Sequence, residues 1–243
     1  MDMIQTSNLR KTYGDVVAVE GLDLAVREGE LFALLGVNGA GKTTTIKMLT
    51  CLTKPTGGDA AVGGYSVTKE PEKVKPLIDV SMQETAVARK LTVAENIEFY
   101  AALNGMTKQE TEEIKQKCYE IFGLKEVSNK MASKLSGGWQ RKVSIALALV
   151  TRPKVLFLDE PTLGLDVLAR RELWRTIADM KGQMTIILTT HYMEEAEALS
   201  DRIGVMAGGE LLFVGTKEEL YLATGKKNVE DAFIEVVTGG KAL

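Results

Sequence analysis

A glycine-rich stretch, GVNGAGKT at residues 36–43, has the residue types needed to bind a phosphate chain. It follows the apolar run Leu31–Leu35 and precedes a segment that we expect to be helical. Glycines let backbone N–H groups surround phosphate oxygens, and the helix N-terminus adds a favourable dipole. The spacing predicts a phosphate-binding loop, rather than an ordinary glycine turn, in which Lys42 reaches the β- and γ-phosphates and Thr43 ligates Mg²⁺. The predicted nucleotide contacts are Gly36, Val37, Asn38, Gly39, Ala40, Gly41, Lys42, Thr43 and Thr44.

Two carboxylates and the single histidine of the chain stand at the ends of two other apolar runs. Asp159 and Glu160 end VLFLDE, and His191 follows TIILTT. Because ligands bind outside the carboxyl ends of strands in open α/β sheets, we expect these groups beside the phosphate loop. There Asp159 can hold the Mg²⁺ shell while Glu160 polarises a water for attack on the γ-phosphate. His191 can donate to a γ-phosphate oxygen, although a lone histidine is more often a structural hydrogen-bonding group.

Tyr13 and Gln83 are weaker candidates when each is taken alone. Tyr13 lies just before the first alternating apolar segment, where an aromatic ring can stack on a base. Gln83, in DVSMQET, can bridge Mg²⁺ or the attacking water. Neither residue by itself separates a binding site from an ordinary surface.

The stretch LSGGWQRK at residues 135–142 is poorly suited to the start of a helix on structural grounds alone. Glycines weaken a helix, and cations near its N-terminus oppose the macrodipole. The combination indicates that an anion docks at this helix start.

The elements that must hold these residues alternate between strands and helices. Val16–Val26 alternates apolar and polar residues, as in strands with one buried face. Leu31–Leu35, Val155–Leu158 and Thr185–Thr190 are typical of strands buried on both faces. A helix is expected from about Lys42 to Leu52. This order predicts a parallel sheet wound with helices.

A helical insert is predicted from Leu91 to about Val127. Capping boxes are expected at Thr92 with Glu95 and at Thr107 with Glu110. The second helix carries an apolar stripe at Ile114, Cys118, Ile121 and Phe122. The helix after LSGG is expected to bury Val143, Ala146, Leu147 and Val150.

The composition limits the class of protein. The chain has 243 residues, 45 % hydrophobic and 26 % charged, which suits one large α/β domain with or without a smaller insert. A net charge of -3 disfavours a nucleic-acid binder. Cys51 and Cys118, on expected helices, are predicted to be reduced thiols. No secretory signal is expected at the N-terminus, and no apolar run approaches the roughly 20 residues that span a bilayer.

Taken together, the motifs resemble those of the nucleotide-binding subunits of ABC transporters over nearly the whole chain. GVNGAGKTT is similar to the Walker A motif of that family, LSGGWQ to its signature, and VLFLDEP at 155–161 to Walker B with its catalytic glutamate. LGLD at 163–166 resembles the D-loop, His191 the switch histidine, Gln83 the Q-loop and Tyr13 the adenine-stacking A-loop.

The resemblance implies a P-loop NTPase core with a parallel sheet, an N-terminal antiparallel β-subdomain and an inserted α-helical subdomain. It implies one ATP-binding domain over residues 1–243. Residues 1–90 and 150–220 would form the β-subdomain and the ATP-binding core, residues 91–149 the helical subdomain with the signature, and residues 221–243 a short C-terminal tail.

The resemblance also implies which anion docks at the signature. In this family two such domains meet head to tail, so Ser136, Gly137 and Gly138, with Asp166 of the D-loop, would contact ATP held by the phosphate loop of a second copy or a homologue. The implied ligands are ATP and Mg²⁺, with Thr43, Gln83 and Asp159 at the metal and Glu160, His191 and Gln83 in catalysis. Trp139 departs from the family, which most often has glutamine and frequently methionine at this position.

The implied function is that of an ATPase motor subunit. RKLTVAENIEFYAALNGM and VEDAFIEVVTGG are similar to the branch that serves drug, antibiotic, sodium or polysaccharide exporters. The expected partners are membrane-spanning permease subunits, which would hold the chain at the cytoplasmic face of the membrane without a transmembrane segment of its own. No nucleic-acid partner is expected. The cargo, and whether the pair is a homodimer or a heterodimer, are left open.

Two other classes fit less well. A soluble ABC ATPase acting on ribosomes or DNA is the alternative, but such proteins usually carry two domains or long coiled coils, which we do not find here. A small GTPase would need an N-K-x-D motif, and the nearest string, Asn129–Ala132, lacks the aspartate.

Overall fold

The computed structural model describes residues 1–239, which form two β-sheets with helices packed around them. The strands are β1 (Asp2–Tyr13), β2 (Val16–Leu22), β3 (Ala25–Arg27), β4 (Leu31–Leu35), β5 (Gly57–Val62), β6 (Tyr65–Ser66), β7 (Ile78–Ser81), β8 (Val155–Asp159), β9 (Thr185–Thr190), β10 (Arg202–Ala207) and β11 (Glu210–Gly215). The helices are α1 (Lys42–Leu49), α2 (Pro71–Val74), α3 (Val93–Leu103), α4 (Lys108–Phe122), α5 (Gly137–Leu149), α6 (Val167–Asp179), α7 (Met193–Leu199), α8 (Lys217–Thr224) and α9 (Val229–Thr238).

The larger sheet has six strands in the order β11-β10-β4-β9-β8-β7. Strands β10 to β7 pair in parallel, and β11 pairs with β10 in the antiparallel direction. Every residue of β4, β8 and β9 is buried, as their apolar sequences predict for strands covered on both faces. The predicted α/β class is confirmed, and the carboxyl ends of these three strands lie at one edge of the sheet.

The smaller sheet is antiparallel and is built around β1, which pairs with β2, β3 and β5. The segment Val16–Val26, predicted to form strands with one buried face, supplies β2 and most of β3. Side chains of this sheet share a core with α1 and with one face of the larger sheet, as in the cluster of Ile4, Val26, Phe32 and Ile46. This layer places β2 against the loop that follows β4.

Helix α1 is shorter than the sequence predicts. It ends at Leu49 rather than Leu52, because Cys51 adopts a positive φ of 58° that a helix cannot continue through. Cys51 therefore lies beyond the helix, whereas Cys118 lies within α4, and both are free thiols.

The helical segment between β7 and β8 contains α3, α4 and α5. The capping boxes at Thr92 and Thr107 are both present. The stripe on α4 is buried at Ile114, Cys118 and Phe122 and half-buried at Ile121, and it packs with the buried face of α5. The predicted core residues around α5 are all buried: Val143, Ala146, Leu147 and Val150.

The C-terminal helices pack on the larger sheet rather than projecting from it. Val229 and Phe233 of α9 are buried in one cluster with Ala33 and Leu35 of β4. Residues 240–243 of the predicted tail lie outside the described residues, and the division into subdomains stays a prediction. In residues 1–239 we find no helix that combines the length and the apolar character needed to cross a membrane.

Candidate functional site

Two glycines of the loop between β4 and α1 occupy positions where a side chain has no room. A Cβ on Gly36 would collide with the carbonyl oxygen of Met206, and Gly41 has a φ of 103° with the carbonyl of Ala18 directly beside it. The loop backbone therefore approaches its neighbours closely enough to require glycine. The loop leads directly into the N-terminus of α1, and a helix N-terminus is suited to bind an anion.

Lys42 is the first residue of α1 and is 5 % exposed. Its Nζ donates to the carbonyl oxygens of Gly36 at 2.6 Å and Val37 at 3.1 Å. It also lies 3.2 Å from Oε1 of Glu160. The ammonium group is thus held by acceptors on the loop itself and by Glu160, which follows strand β8 of the same sheet.

Asp159, the last residue of β8, is fully buried. Its Oδ1 accepts a bond of 2.6 Å from the Thr189 hydroxyl and one of 3.1 Å from the Thr43 hydroxyl. Its Oδ2 is buried with no hydrogen-bond partner among the described residues. Since a buried carboxylate oxygen is costly to leave unpaired, this oxygen and the adjacent Thr43 hydroxyl have the chemistry of a site for a hard cation.

Glu160 turns sharply away from the strand. Its φ is 48°, an uncommon conformation for a residue other than glycine, and its N–H is held by the backbone carbonyl and the hydroxyl of Thr189, each at 3.1 Å. Nδ1 of His191 lies 2.7 Å from its Oε2. The turn directs the carboxylate, which is still largely buried, toward Lys42 and His191 in the cleft. Residues held in strained conformations often cluster at functional sites.

These residues line one open cleft of about 580 Å³. The cleft brings together the predicted site residues Tyr13, Asn38, Gly39, Ala40, Gly41, Lys42, Thr43, Thr44, Gln83, Glu160 and His191, and adds Val16, Val17, Ala18 and Leu163. Tyr13 is 48 % exposed at its rim, with Nζ of Lys11 4.9 Å from the ring centroid. Tyr13 thus offers an exposed ring in the same cleft as the phosphate loop.

The signature residues do not lie in this cleft. Ser136 is the exposed N-cap of α5, and its hydroxyl does not cap the helix. Gly137 lines a second recess of about 480 Å³ with Gly164 and Leu165, and Gln83 lines both recesses. Asp166 caps α6, accepting from the N–H groups of Leu168 and Ala169 at 2.9 Å. Ser136, Gly137, Gly138 and Asp166 are therefore separate from the chain's own phosphate loop.

The two cations after the signature have a different role from the one that the sequence suggests. The Arg141 guanidinium donates to the carbonyl oxygens of Met82, at 2.7 Å, and Gln83. Lys142 pairs with Glu172 at 2.7 Å, and its Nζ lies 4.5 Å from the Trp139 ring centroid. Both cations bind groups of their own chain, so the anion site predicted at this helix start would rest on Ser136 and the glycines.

Three residues near the site were missed by sequence reasoning. Thr189 could have been found, since it is a polar residue near the carboxyl end of a buried strand, where it pairs in register with Asp159. Arg141 is buried, which lowers the pKa of its guanidinium, while the carboxylates of Asp159 and Glu195 oppose the shift. Glu195, on α7, accepts from Thr162 and Trp174, each at 2.8 Å, and no sequence signal separates it from its exposed neighbour Glu194. Burial raises the pKa of the Glu195 carboxyl.

The family model described as "ABC transporter" matches residues 19–163, which include the phosphate loop, the signature and both carboxylates. The chain belongs to the ABC transporter family of ATP-binding domains. Members of this family bind and hydrolyse ATP, so the chain is an ABC ATPase, and the cleft around Lys42 has the lining that such an enzyme needs.

Two bacterial ABC relatives match most of the chain. The linearmycin resistance ATP-binding protein LnrL of Bacillus subtilis (strain 168) is 38 % identical over 239 residues, covering 98 % of this chain and 76 % of LnrL. The daunorubicin/doxorubicin resistance ATP-binding protein DrrA of Streptomyces peucetius is 41 % identical, covering 91 % of this chain and 68 % of DrrA. The human phospholipid-transporting ATPase ABCA3 is 45 % identical over 203 residues, but the chain spans only 12 % of its length.

Solved ABC structures share the fold. The ATP-binding subunit of an ABC transporter aligns with a TM-score of 0.85 and 27 % identity, covering 97 % of this chain and 99 % of that one. A dimeric ATP-binding cassette in a post-hydrolysis state with ADP and Pi aligns with a TM-score of 0.79 and 26 % identity, covering 88 % of this chain and 98 % of that one. The predicted combination of antiparallel sheet, parallel sheet and helical insert is thus the ABC ATPase architecture.

Proposed function

We propose that the chain is the ATP-hydrolysing motor subunit of an exporter, in which ATP closes two such domains on one another and hydrolysis reopens them. The observation that carries the proposal is the joining of Lys42, Glu160 and His191 in one cleft, with the signature on a different surface. A chain that holds ATP in its own cleft then still lacks a signature there. A second domain is needed to supply one.

This separation supports the proposed head-to-tail pair. Ser136 is exposed, and its hydroxyl makes no capping hydrogen bond to α5, so it is available to a phosphate of the ATP that another chain holds. A Cβ on Gly137 would meet nothing within 4 Å, whereas Gly138 lies close to Ala169 of α6, the helix that Asp166 caps. A relative of known structure is itself a dimer. We propose that the second domain of the pair is another copy of this chain or a homologue.

Within the cleft each residue has one task. Lys42 and the loop N–H groups bind the β- and γ-phosphates, and Tyr13 stacks on the adenine. Glu160 accepts a proton from the attacking water. His191 holds Glu160 through Nδ1, which leaves its Nε2 for a γ-phosphate oxygen.

Mg²⁺ fits the oxygens present. Thr43 and Asp159 would hold the ion, with Gln83 approaching from the rim, and the unpartnered Oδ2 of Asp159 is the atom that this assignment explains. When bound, the ion neutralises charge that develops on the β- and γ-phosphates.

The membrane partner is proposed to be a permease that docks near the helical segment and Gln83. Two curated relatives are named for drug resistance, which supports export. Phe99 and Leu103 of α3 are exposed by 47 % and 67 %, so that segment offers apolar surface to a partner. The pair of domains would sit at the cytoplasmic face of the membrane through this contact. Action on ribosomes or DNA is less favoured, since the net charge is -3.

The test is to replace Glu160 with glutamine. Glu160→Gln keeps ATP binding and lowers the hydrolysis rate by on the order of a hundredfold or more, the usual contribution of a general base. The variant accumulates as an ATP-bound dimer on a sizing column, and Glu120→Gln, which changes an exposed carboxylate on α4, behaves as the wild type. Near-normal turnover in Glu160→Gln, or a monomer in saturating ATP, would contradict the proposal.

A further inference from the structure

The signature helix α5 is hydrogen-bonded along the edge strand β7. The two elements run in opposite directions, so residues near the start of the helix contact the end of the strand, and residues near the end of the helix contact the start of the strand. The contacts are Thr151 Oγ1 to Asp79 Oδ2 at 2.9 Å, the Ser144 and Ser81 hydroxyls at 3.2 Å, and the Arg141 guanidinium to the carbonyl oxygens of Met82 and Gln83. Positions 141 and 144 are three residues apart, which places them on one face of α5, and Thr151 lies just beyond Leu149, the last residue of that helix.

Arg141 makes the outermost of these contacts, beyond the end of the strand. The strand ends at Ser81, and Met82 and Gln83 begin the loop that leads to α3. The guanidinium is 4 % exposed and donates to two successive carbonyl oxygens. A planar fork with fixed donors suits such a pair, and a buried charge that loses its acceptors is strongly unfavourable. This contact therefore fixes the loop backbone at Gln83 relative to α5.

Gln83 occupies a junction between the two recesses. It lines the cleft of Lys42 and Glu160, and it lines the recess of Gly137 and Gly164. Its backbone carbonyl is held by α5, five residues after Ser136, a distance of about 7.5 Å along a helix. A displacement of Gln83 toward the chain's own nucleotide therefore acts directly on the start of the signature helix.

We infer that Arg141 is a positioning residue that couples the nucleotide in the chain's own cleft to the position of its own signature. The signature then adopts its closing position for the partner's ATP only when its own phosphate loop is filled. This inference rests on the proposed function, because it requires that Gln83 senses bound nucleotide and that Ser136 serves a second chain.

The chain contains its own reporter for this coupling. Its two tryptophans are Trp139, within the signature, and Trp174 on α6. Trp139 is half-buried and packs against the helical core with the Lys142 ammonium over its ring. In a Trp174→Phe background, a change in emission on ATP binding reports the surroundings of the signature alone.

The experiment compares variants in this background at a concentration where the chain elutes as a monomer. ATP affinity is measured with a fluorescent ATP analogue, and Trp139 emission is measured with and without Mg²⁺-ATP. We expect the background protein to bind ATP and shift its emission. Arg141→Met is expected to bind ATP with the same affinity but to lose most of the shift. Arg141→Lys, which keeps the charge but not the two-pronged geometry, is expected to give an intermediate shift.

Lys115→Met is the matched control, because Lys115 is a cation of the helical segment paired with Glu98 and Glu112 and has no contact with the Gln83 loop. It is expected to keep the full shift.

In steady-state hydrolysis, Arg141→Met lowers kcat by on the order of tenfold and leaves KM within about twofold, since binding of ATP is intact.

The outcomes are distinct. An unchanged emission shift in Arg141→Met, or ATP binding by the background protein with no shift at all, overturns the coupling role of Arg141. If Arg141→Met does not fold, Arg141→Lys decides the question, and a full shift in that variant also overturns the inference. Failure of the background protein to bind ATP contradicts the proposed function instead.

Discussion

Nδ1 of His191 lies 2.7 Å from Oε2 of Glu160. A carboxylate oxygen can only accept, so Nδ1 carries the proton in this pair. The tautomer is thereby fixed, and Nε2 is the ring atom left for a substrate. The other oxygen of Glu160 faces Lys42 at 3.2 Å, which places the carboxylate between two cation-forming groups at the mouth of the phosphate loop.

Removing the histidine side chain frees Glu160 from this orientation. We expect His191→Ala to keep ATP affinity and to lower kcat by on the order of a hundredfold, the usual scale for a group that assists proton transfer. Tyr192→Phe keeps the ring whose centroid lies 4.1 Å from that of His191, and this variant is expected to hydrolyse ATP normally. Equal kcat values for His191→Ala and the wild type would remove His191 from the catalytic assignment.

The Thr189 hydroxyl donates to the carboxylate of Asp159 and accepts from the backbone N–H of Glu160. We expect Thr189→Val to lower the free energy of unfolding by about 1–3 kcal/mol and to lower kcat, because two buried polar groups lose a partner. Thr185→Val is the matched control at the other end of β9, where the hydroxyl accepts from Gly29. It is expected to lose stability and keep kcat. If the two variants hydrolyse ATP equally well, Thr189 has only a structural role.

Lys42 and Asp159 are assigned to different parts of the ligand. Lys42→Ala is expected to lose nucleotide affinity with and without Mg²⁺, since it removes the cation that holds the phosphates. Asp159→Asn is expected to keep metal-free binding and to lose the gain in affinity that Mg²⁺ provides. Nucleotide binding titrated in EDTA and in Mg²⁺ separates the two. Identical behaviour of the variants in both conditions would refute this division of roles.

Glu195 predicts a pH-dependent stability. Burial raises its pKa from the ordinary value of 4.5, so the folded protein retains a proton that the unfolded chain releases. The contribution of this carboxyl to the free energy of unfolding is therefore complete below pH 4.5, the pKa in the unfolded chain, and is lost as the pH rises toward the raised pKa of the folded protein. Between these two pKa values the loss is about 1.4 kcal/mol for each pH unit. Glu195→Gln, a neutral isostere, should become progressively more stable than the wild type across that range. Chemical denaturation at several pH values measures the difference, and parallel stability curves for the two proteins would contradict it.

The buried strands and the phosphate loop were predictable because their signals are local. Continuous apolar runs marked β4, β8 and β9, and the glycine spacing marked the loop between β4 and α1. Strand β7 has only four residues and includes Asp79, so its pattern does not stand out. Helix α1 was predicted too long because the positive φ of Cys51 has no signature in a residue other than glycine.

The polar contacts that connect elements could not be predicted. Arg141 and Lys142 differ little in sequence context, yet one holds the Gln83 loop and the other pairs with Glu172 on α6. Both partners are far away in the chain, at separations of 58 and 30 residues. The burial of Glu195 likewise depends on which face of α7 meets α6. Such contacts are set by tertiary packing, which a single sequence does not specify locally.

The central claim is that the signature of one chain completes the ATP site of another. Lys42→Ala and Ser136→Arg are each expected to be inactive alone, because one removes the phosphate-binding cation and the other fills the space of the γ-phosphate. In a head-to-tail pair of the two variants, one site receives both lesions, and the other combines an intact phosphate loop with an intact signature. The control is wild-type chain mixed with a chain that carries both substitutions, a pair that has one lesion in each site.

The most direct measurement is the ATPase activity of these two mixtures, each corrected for the activity of the homodimers present in it. If the signature of one chain serves the ATP of the other, mixing Lys42→Ala with Ser136→Arg restores hydrolysis, whereas pairing wild type with the double variant adds none. The opposite pattern, with recovery only from the wild-type and double-variant pair, would show that the signature serves the nucleotide of its own chain and would contradict the account.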